Sequence, residues 1–201
     1  MTQQGLIIVI SAPSGAGKTS ICRKLISLTP SLVHSVSVST RKPREGEKDG
    51  IDYFFTTEES FFKRRAENEF VEWAFVHGNY YGTPKKFMEE SIKNGNDVLL
   101  EIDVVGALKV KESNPDSILI FILPQSMAVL EARLRERKTD DEEIIKKRLI
   151  NAENEIKYID KYNYIIKNID LNKAVDDVKS IIRAEKCNIK RFKLNSHKLI
   201  D

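Results

Sequence analysis

Ser11-Ala12-Pro13-Ser14-Gly15-Ala16-Gly17-Lys18-Thr19 carries the residue types needed to hold a polyphosphate. A loop of this kind turns successive backbone N–H groups inward toward phosphate oxygens. Gly15 and Gly17 allow backbone angles and a close approach that a Cβ would obstruct. Lys18 is placed to reach the β- and γ-phosphates, and the Thr19 hydroxyl to ligate Mg²⁺. A helix opening at Lys18 adds the positive end of its dipole. The pattern G-x-x-x-x-G-K-S/T is met except at its first position, where Ala12 stands. A glycine-rich strand-to-helix turn with a chance Gly-Lys-Thr is the plain alternative. The apolar run before the loop, the helix after it and the spacing favour a nucleoside triphosphate site. The loop does not say what is done with the triphosphate.

A second concentration of chemistry runs from Ser39 to Phe55. Arg41 and Arg44 can offer planar forks to one phosphate from two sides. Glu47 can orient an arginine, the Tyr53 hydroxyl can donate a further hydrogen bond, and Gly46 and Gly50 supply turns. By composition alone this segment reads equally well as a charged hairpin on a solvated face. A third concentration, from Gln125 to Tyr162, holds Arg133, Arg135, Arg137, Lys138, Lys146, Lys147 and Arg148. Most of these read as a solvated helical face with partners among Asp140, Asp141, Glu142 and Glu143.

The elements that must position these groups are announced by apolar runs at Leu6–Ile10, Asp97–Ile102, Ile118–Leu123 and Tyr164–Lys167, with a further strand expected over Val33–Val38. Continuous apolar runs suit parallel strands buried on both faces. Helical patterns lie between them. Thr83-Pro84 reads as an N-cap followed by proline at the first helical position, and Gly95 ends that helix. Thr56-x-x-Glu59 and Thr139-x-x-Glu142 read as capping boxes. A short helix is expected near Glu58–Glu67, and a long last one from near Leu171 to about Phe192. Alternating strands and helices predict an α/β parallel sheet. Residues 39–83 and 125–163 interrupt the alternation and read as insertions at the rim where strand C-termini hold a nucleotide.

At 201 residues the chain suits one large domain with insertions, or one core with small subdomains. Hydrophobic residues at 41% and charged residues at 31% describe a soluble globular protein, and a net charge of +3 is too small to argue for nucleic acid. Cys22 and Cys187 are too few for a disulfide framework or a zinc site, and Cys22 reads as a small buried hydrophobe. The sequence contains no membrane-span-length apolar run and no signal-peptide pattern, so a cytoplasmic protein is expected. A homo-oligomer is left open.

Taken together, these segments resemble the guanylate kinases. The Ser39–Phe55 segment looks like the family signature, and the loop with Ala12 resembles that of bacterial members. Further matches run through Phe70-Val71-Glu72-Trp73-Ala74, Gly78-Asn79-Tyr80-Tyr81-Gly82-Thr83-Pro84 and Leu100-Glu101-Ile102-Asp103. Others follow in Arg133–Thr139, Lys147-Arg148-Leu149 and Asn168-Ile169-Asp170-Leu171. The resemblance covers roughly residues 5–185.

It implies a P-loop NTPase fold: a mostly parallel five-stranded sheet flanked by helices, with a small α+β acceptor insertion and a helical lid. The implied division is a core of residues 1–36, 84–124 and 164–201, a GMP-binding insertion of 37–83 and a lid of 125–163. The resemblance implies that Ala12, Pro13, Ser14, Gly15, Ala16, Gly17, Lys18 and Thr19 bind ATP. It implies that Arg41, Arg44, Tyr53 and Tyr81 hold the acceptor phosphate, and that Ser37, Glu72 and Thr83 contact guanine. Guanine offers N1–H and N2–H₂ as donors and O6 as an acceptor, which suits a carboxylate beside two hydroxyls; adenine reverses that pattern. Asp103 is implied as a ligand of Mg²⁺ through water, with Thr19, and as a neighbour of the guanine. Glu101 stands where some members carry Asp. Arg137 and Arg148 are implied to swing over the transferring group, so that Lys18, Arg41, Arg137 and Arg148 form the catalytic set. Lys138 replaces a glycine usual at that turn.

The implied reaction is ATP + GMP ⇌ ADP + GDP, with dGMP as a further acceptor, in purine nucleotide metabolism. No general base is required, because a phosphate monoester with a second pKa of about 6 is already largely dianionic at neutral pH. The absence of a conspicuous catalytic histidine fits; His34 and His77 are read as structural and His197 lies in the tail. Three rivals stand beside this reading. An interaction module of the same fold typically has a degraded phosphate loop, whereas Gly17, Lys18 and Thr19 are all present. A kinase for a ribose phosphate would not need Ser37, Glu72 and Thr83. A GTPase or ATPase with water as acceptor would not need a dedicated acceptor insertion. The basic tail beyond about Lys186 has no assigned role.

Overall fold

The computed structural model describes residues 4–76, 78–136 and 141–191. From the N-terminus, β1 (Ile7–Ser11) leads through the phosphate loop to α1 (Lys18–Leu28) and β2 (Leu32–His34). A small second sheet follows: β3 (Val38–Ser39), β4 (Phe54–Phe55), α2 (Glu58–Ala66), β5 (Phe70–Val76) and β6 (Asn79–Pro84). The chain then returns through α3 (Lys85–Lys93), β7 (Asp97–Glu101), α4 (Val104–Ser113) and β8 (Ile118–Pro124). It ends with α5 (Met127–Glu136), α6 (Glu142–Ile156), β9 (Tyr164–Asn168) and α7 (Leu171–Lys186).

The main sheet has five strands in the order β2-β7-β1-β8-β9, and every neighbouring pair is parallel. Its central strands β7, β1 and β8 are largely apolar because both faces are covered, whereas edge strand β9 exposes Ile165 and Lys167; the period-two alternation sorts the side chains. Ile8, Ile10, Leu99, Ile120 and Ile122 pack with Ile21, Leu25, Val175 and Val178 on one side. Val9, Val98, Leu100 and Leu119 pack with Met88, Ile92, Ala107 and Val110 on the other. The order places β1 centrally, so the loop leaving it sits over the crevice where strand order reverses.

The second sheet runs β4-β3-β6-β5, with β3–β4 parallel and the other pairs antiparallel. Its core is Val38, Phe61 and Phe70, with the Phe61 and Phe70 rings stacked at 4.7 Å. The register of β5 against β6 shifts between Phe70 and Trp73, around Glu72. Irregularities of this kind re-aim side chains.

Local readings shift in several places. The strand expected over Val33–Val38 divides into β2 and β3, which belong to different sheets. Ser35 N–H still donates to Leu99 O at 3.0 Å, while Ser37 O accepts from Phe54 N–H at 2.9 Å. The chain changes partners between them. Thr57, not Thr56, caps α2 through Ser60 N–H, because Thr56 N–H is held by Ser39 O at 2.9 Å. Asp141 caps α6 through Ile144 N–H, and Thr139 lies outside the described residues. Pro84 occupies the N-cap of α3, and the Thr83 hydroxyl serves a buried carboxylate instead. The last helix stops at Lys186, and Phe192 lies outside the described residues.

Candidate active site

The loop between β1 and α1 is shaped by backbone geometry that only glycine adopts readily. Gly15 and Gly17 have φ of 96° and 94°. A Cβ on Gly17 would come 2.4 Å from Asn168 Nδ2. That amide donates to Ala16 O at 2.7 Å, so the end of β9 fastens the loop. Among the described residues the only non-glycine with positive φ is Asn68. Ala12 therefore has ordinary backbone angles, and its methyl packs into the core beside α1. This explains why alanine fits where the general pattern has glycine.

The polar ends of the loop meet the tip of β7. Lys18 Nζ donates to Ile102 O at 3.2 Å, and the Thr19 hydroxyl to Glu101 Oε1 at 2.5 Å. Ser11 Oγ donates to Asp103 O at 3.3 Å. Asp103 Oδ1 caps α4 by accepting Gly106 N–H at 2.9 Å. From α6, Arg148 Nη1 donates to Ser14 Oγ at 3.1 Å, which brings that arginine to the loop. Arg137 lies outside the described residues.

The second sheet assembles another polar group. Glu47 accepts Arg41 Nη2 at 2.8 Å with one oxygen and Arg44 N–H at 2.7 Å with the other. Against a desolvation that raises it, these bonds hold the Glu47 carboxyl below the usual carboxylate range. Arg41 lies 5.2 Å from the Tyr53 ring, and the Tyr53 and Tyr81 rings meet edge-on at 5.9 Å. Burial pushes the Tyr53 hydroxyl up to about 12, so it stays a donor at neutral pH. Arg44 joins through its backbone, and its side chain stands exposed. The arrangement presents a fixed guanidinium and phenolic hydroxyls to an anion.

Nearby, Glu72 is 6% exposed and accepts the Thr83 hydroxyl at 2.6 Å, with Ser37 also buried. Its other oxygen faces Gly106, where an added Cβ would come within 2.7 Å. Burial, opposed by the bond from Thr83, pushes the Glu72 carboxyl up to about 7, and the charge of Asp103 pushes the same way. A buried carboxyl that holds the Thr83 hydroxyl with one oxygen is suited to reading a hydrogen-bond pattern with the other.

The family model described as Guanylate kinase matches residues 4–185. The guanylate kinase of Caldanaerobacter subterraneus subsp. tengcongensis is 51% identical over 191 residues, covering 95% of this chain and 93% of the relative. That of Syntrophotalea carbinolica is 49% identical over 201 residues, covering 100% and 96%. The crystal structure of guanylate kinase from Anaplasma phagocytophilum superposes with a TM-score of 0.80 at 37% identity, covering 94% of this chain and 90% of that one. The chain belongs to the guanylate kinase family.

Several contacts in this guanylate kinase family member carry no signal in a single sequence. The Thr19–Glu101 bond joins residues 82 positions apart, and Asn168 reaches Ala16 across 152. The Thr19 hydroxyl meets Glu101, where the sequence reading notes that some family members carry Asp, and Asp103 caps α4. Arg23 on α1 pairs with Asp52, beside Tyr53, and so ties the second sheet's loop to the core. Arg133 lines a cavity of about 370 Å³ behind the loop, together with Gly15, Gly17, Asn168, Ile169 and Leu171. Arg135 is held by Glu131 and Glu142 on the surface.

Proposed function

We propose that phosphoryl transfer from ATP to GMP, the activity that comes with membership of the guanylate kinase family, is carried by these two facing groups. Residues 12–19 cradle the ATP phosphates, with Lys18 on the transferring end. The cavity bounded by Gly15, Arg133 and Asn168 takes the adenine. Arg41, Arg44, Tyr53 and Tyr81 hold the GMP phosphate, and Ser37, Glu72 and Thr83 read the base, with Asp103 close by. Residues 37–83 act as the acceptor insertion and 125–163 as the lid, from which Arg148 and Arg137 neutralise the transferring group. Positioning and charge neutralisation suffice, because the attacking phosphate needs no base.

Among the described residues no group of His, Cys, Asp and Glu could hold a metal unaided. The Thr19 hydroxyl with Glu101 and Asp103 is nevertheless a hard oxygen set. Such a set fits Mg²⁺, which usually binds one or two carboxylates plus substrate phosphates. Bound there, it would supply positive charge to the donor phosphates. We assign Thr19 and Asp103 to its shell, Asp103 through water, and add Glu101.

The observation that carries the choice of acceptor is the buried Glu72–Thr83 pair. A base lacking guanine's donors would leave that carboxyl unpaired, which can discriminate by about 10⁴. ADP release is measured with GMP, dGMP, AMP, CMP, UMP and no acceptor. Turnover with GMP and dGMP only is expected. Equal rates with AMP, or turnover without acceptor, would refute the reading. No helix among the described residues is long and apolar enough to cross a membrane.

A further inference from the structure

Beneath the phosphate loop lies a buried polar group that the reading above leaves unused. Glu155 belongs to α6, two turns beyond Arg148, so both project from the same face of that helix toward the loop. Its Oε2 is buried and has no hydrogen-bond partner among the described residues. The hydroxyl of Tyr162 is likewise buried and unpartnered by distance and angle, although it lies close enough to Ser11 and Glu155 to feel both. The Tyr162 ring is fixed edge-on against Phe121 at 5.0 Å, so the hydroxyl has little freedom to turn away. Glu155 in turn feels the charges of Lys18 and Asp103. Burial pushes its carboxyl up to about 7, against the pull of Lys18.

Buried polar atoms are almost always paired, and an orphan on the helix face that meets the phosphate loop through Arg148 requires a reason. Glu155 is half-buried as a residue, but its Oε2 is shut off from water. A role in packing alone would be served better by an apolar side chain, because the desolvated carboxyl destabilises the fold unless something compensates it. The available compensation is Lys18, which has three donors and spends one on Ile102 O.

We propose that Glu155 is a positioning residue for Lys18: the lid helix presents its carboxylate beneath the loop, and through a buried water shared with Tyr162 it aims the lysine at the donor phosphates. Arg148 and Glu155 then make α6 an element that senses and shapes the loop at two points. This rests on the assignment of Lys18 to the donor phosphates.

The test is a double-mutant cycle on the dissociation constant of a non-hydrolysable ATP analogue, measured with Mg²⁺ by equilibrium binding. Glu155→Gln keeps the shape and should fold with a Tm no lower than that of the natural chain. It should weaken the analogue about fivefold in the otherwise natural chain and change it less than twofold when Lys18 is already Ala. The same substitution should lower kcat about tenfold with KM for GMP within twofold. Tyr162→Phe should move both in the same direction by a smaller factor. Equal weakening in both backgrounds would mean that Glu155 is structural; no weakening, or tighter binding, would also overturn the proposal. Should Lys18→Ala alone leave the analogue's affinity unchanged, the donor-site assignment falls first and this proposal with it.

Discussion

The two halves of the site are built by different means. The donor loop is mostly backbone, and it is clamped: Ala16 O is held by Asn168, Lys18 by Ile102 O and Thr19 by Glu101. Ala12 and Ala16 anchor it in the larger core. The acceptor side is side chains displayed on a small sheet, whose own core is three residues with Trp73 and Tyr80 at its edge. There one carboxylate, Glu47, orders Arg41 and the Arg44 backbone together. Substitutions in the first half should therefore damage geometry, and with it turnover. Substitutions in the second should change affinity and choice of base while leaving the donor site intact.

The sharpest break between the halves is Lys18→Ala. Removing the charge proposed to meet the transferring phosphoryl group should lower kcat by about a thousandfold, the scale of losing one preorganised donor at developing charge. GMP affinity, read by equilibrium binding, should stay within twofold. A comparable loss of GMP binding would mean that the halves are not separable.

Glu72→Gln is expected next in size. The amide presents a donor to guanine's donors, so KM for GMP should rise about a hundredfold and discrimination against AMP should fall. The pH dependence carries the same information. Burial pushes the Glu72 carboxyl of the free protein up to about 7, whereas the proposed reading of guanine needs a carboxylate. Below pH 7 binding must expel a proton, so GMP affinity should fall by about tenfold per pH unit, and this slope should vanish in the variant. The raised pKa also means that stability from this group is lost as pH rises from the unfolded value of 4.5 toward 7. Glu72→Gln should consequently raise Tm at pH 8 by a few degrees, by the usual scaling for a domain of this size.

What the chain discloses on its own follows the same division. The donor loop is legible because its chemistry is local, with strand, glycines, lysine and helix contiguous. The Arg41–Glu47–Tyr53 group is legible as a composition, and Glu47 does orient Arg41. The long-range fastenings are not. Nothing near Thr19 announces Glu101, and nothing near Ser14 announces Arg148, 134 positions away. Thr83 shows how a local rule loses: its hydroxyl fits a helix cap, but the buried carboxyl of Glu72 has the greater need of a donor. The Val33–Val38 run failed as one strand because hydrophobic pattern does not say which sheet a residue joins.

Gly17→Ala against Ala12→Gly tests whether the donor half is geometric. At Gly17 a side chain meets both a φ of 94° and the Asn168 amide, which fastens the loop. A non-glycine residue held in such a conformation costs about 1–3 kcal/mol. Affinity for a non-hydrolysable ATP analogue should therefore fall about thirtyfold, with GMP binding unaffected. Ala12→Gly, at ordinary backbone angles, should change that affinity less than twofold. Equal effects at the two positions would contradict the geometry described for the loop.

The smallest expected effect concerns the join between the halves. Arg23 leaves α1 and meets Asp52 Oδ1, while the other oxygen of Asp52 accepts Lys48 N–H at 2.8 Å. The N–H of Lys48 first, and then Arg23, hold the Asp52 carboxyl below its usual range. Arg23 is 69% exposed, so the pair is screened, and exposed pairs contribute about 0–1 kcal/mol. Arg23→Ala should therefore raise KM for GMP only about twofold by loosening Tyr53, with kcat unchanged. Asp52→Ala, which also releases Lys48 N–H, should cost about tenfold. Salt separates the two roles: screening within a Debye length of about 10 Å at 0.1 M weakens the ion pair, whereas the short-range turn bond, made at hydrogen-bond distance to a backbone N–H, stays in place. Raising ionic strength should thus narrow the gap between the natural chain and Arg23→Ala, while the gap to Asp52→Ala persists. If that second gap closed with salt as well, the loop would be held by charge and not by its turn, and the two halves would be joined electrostatically.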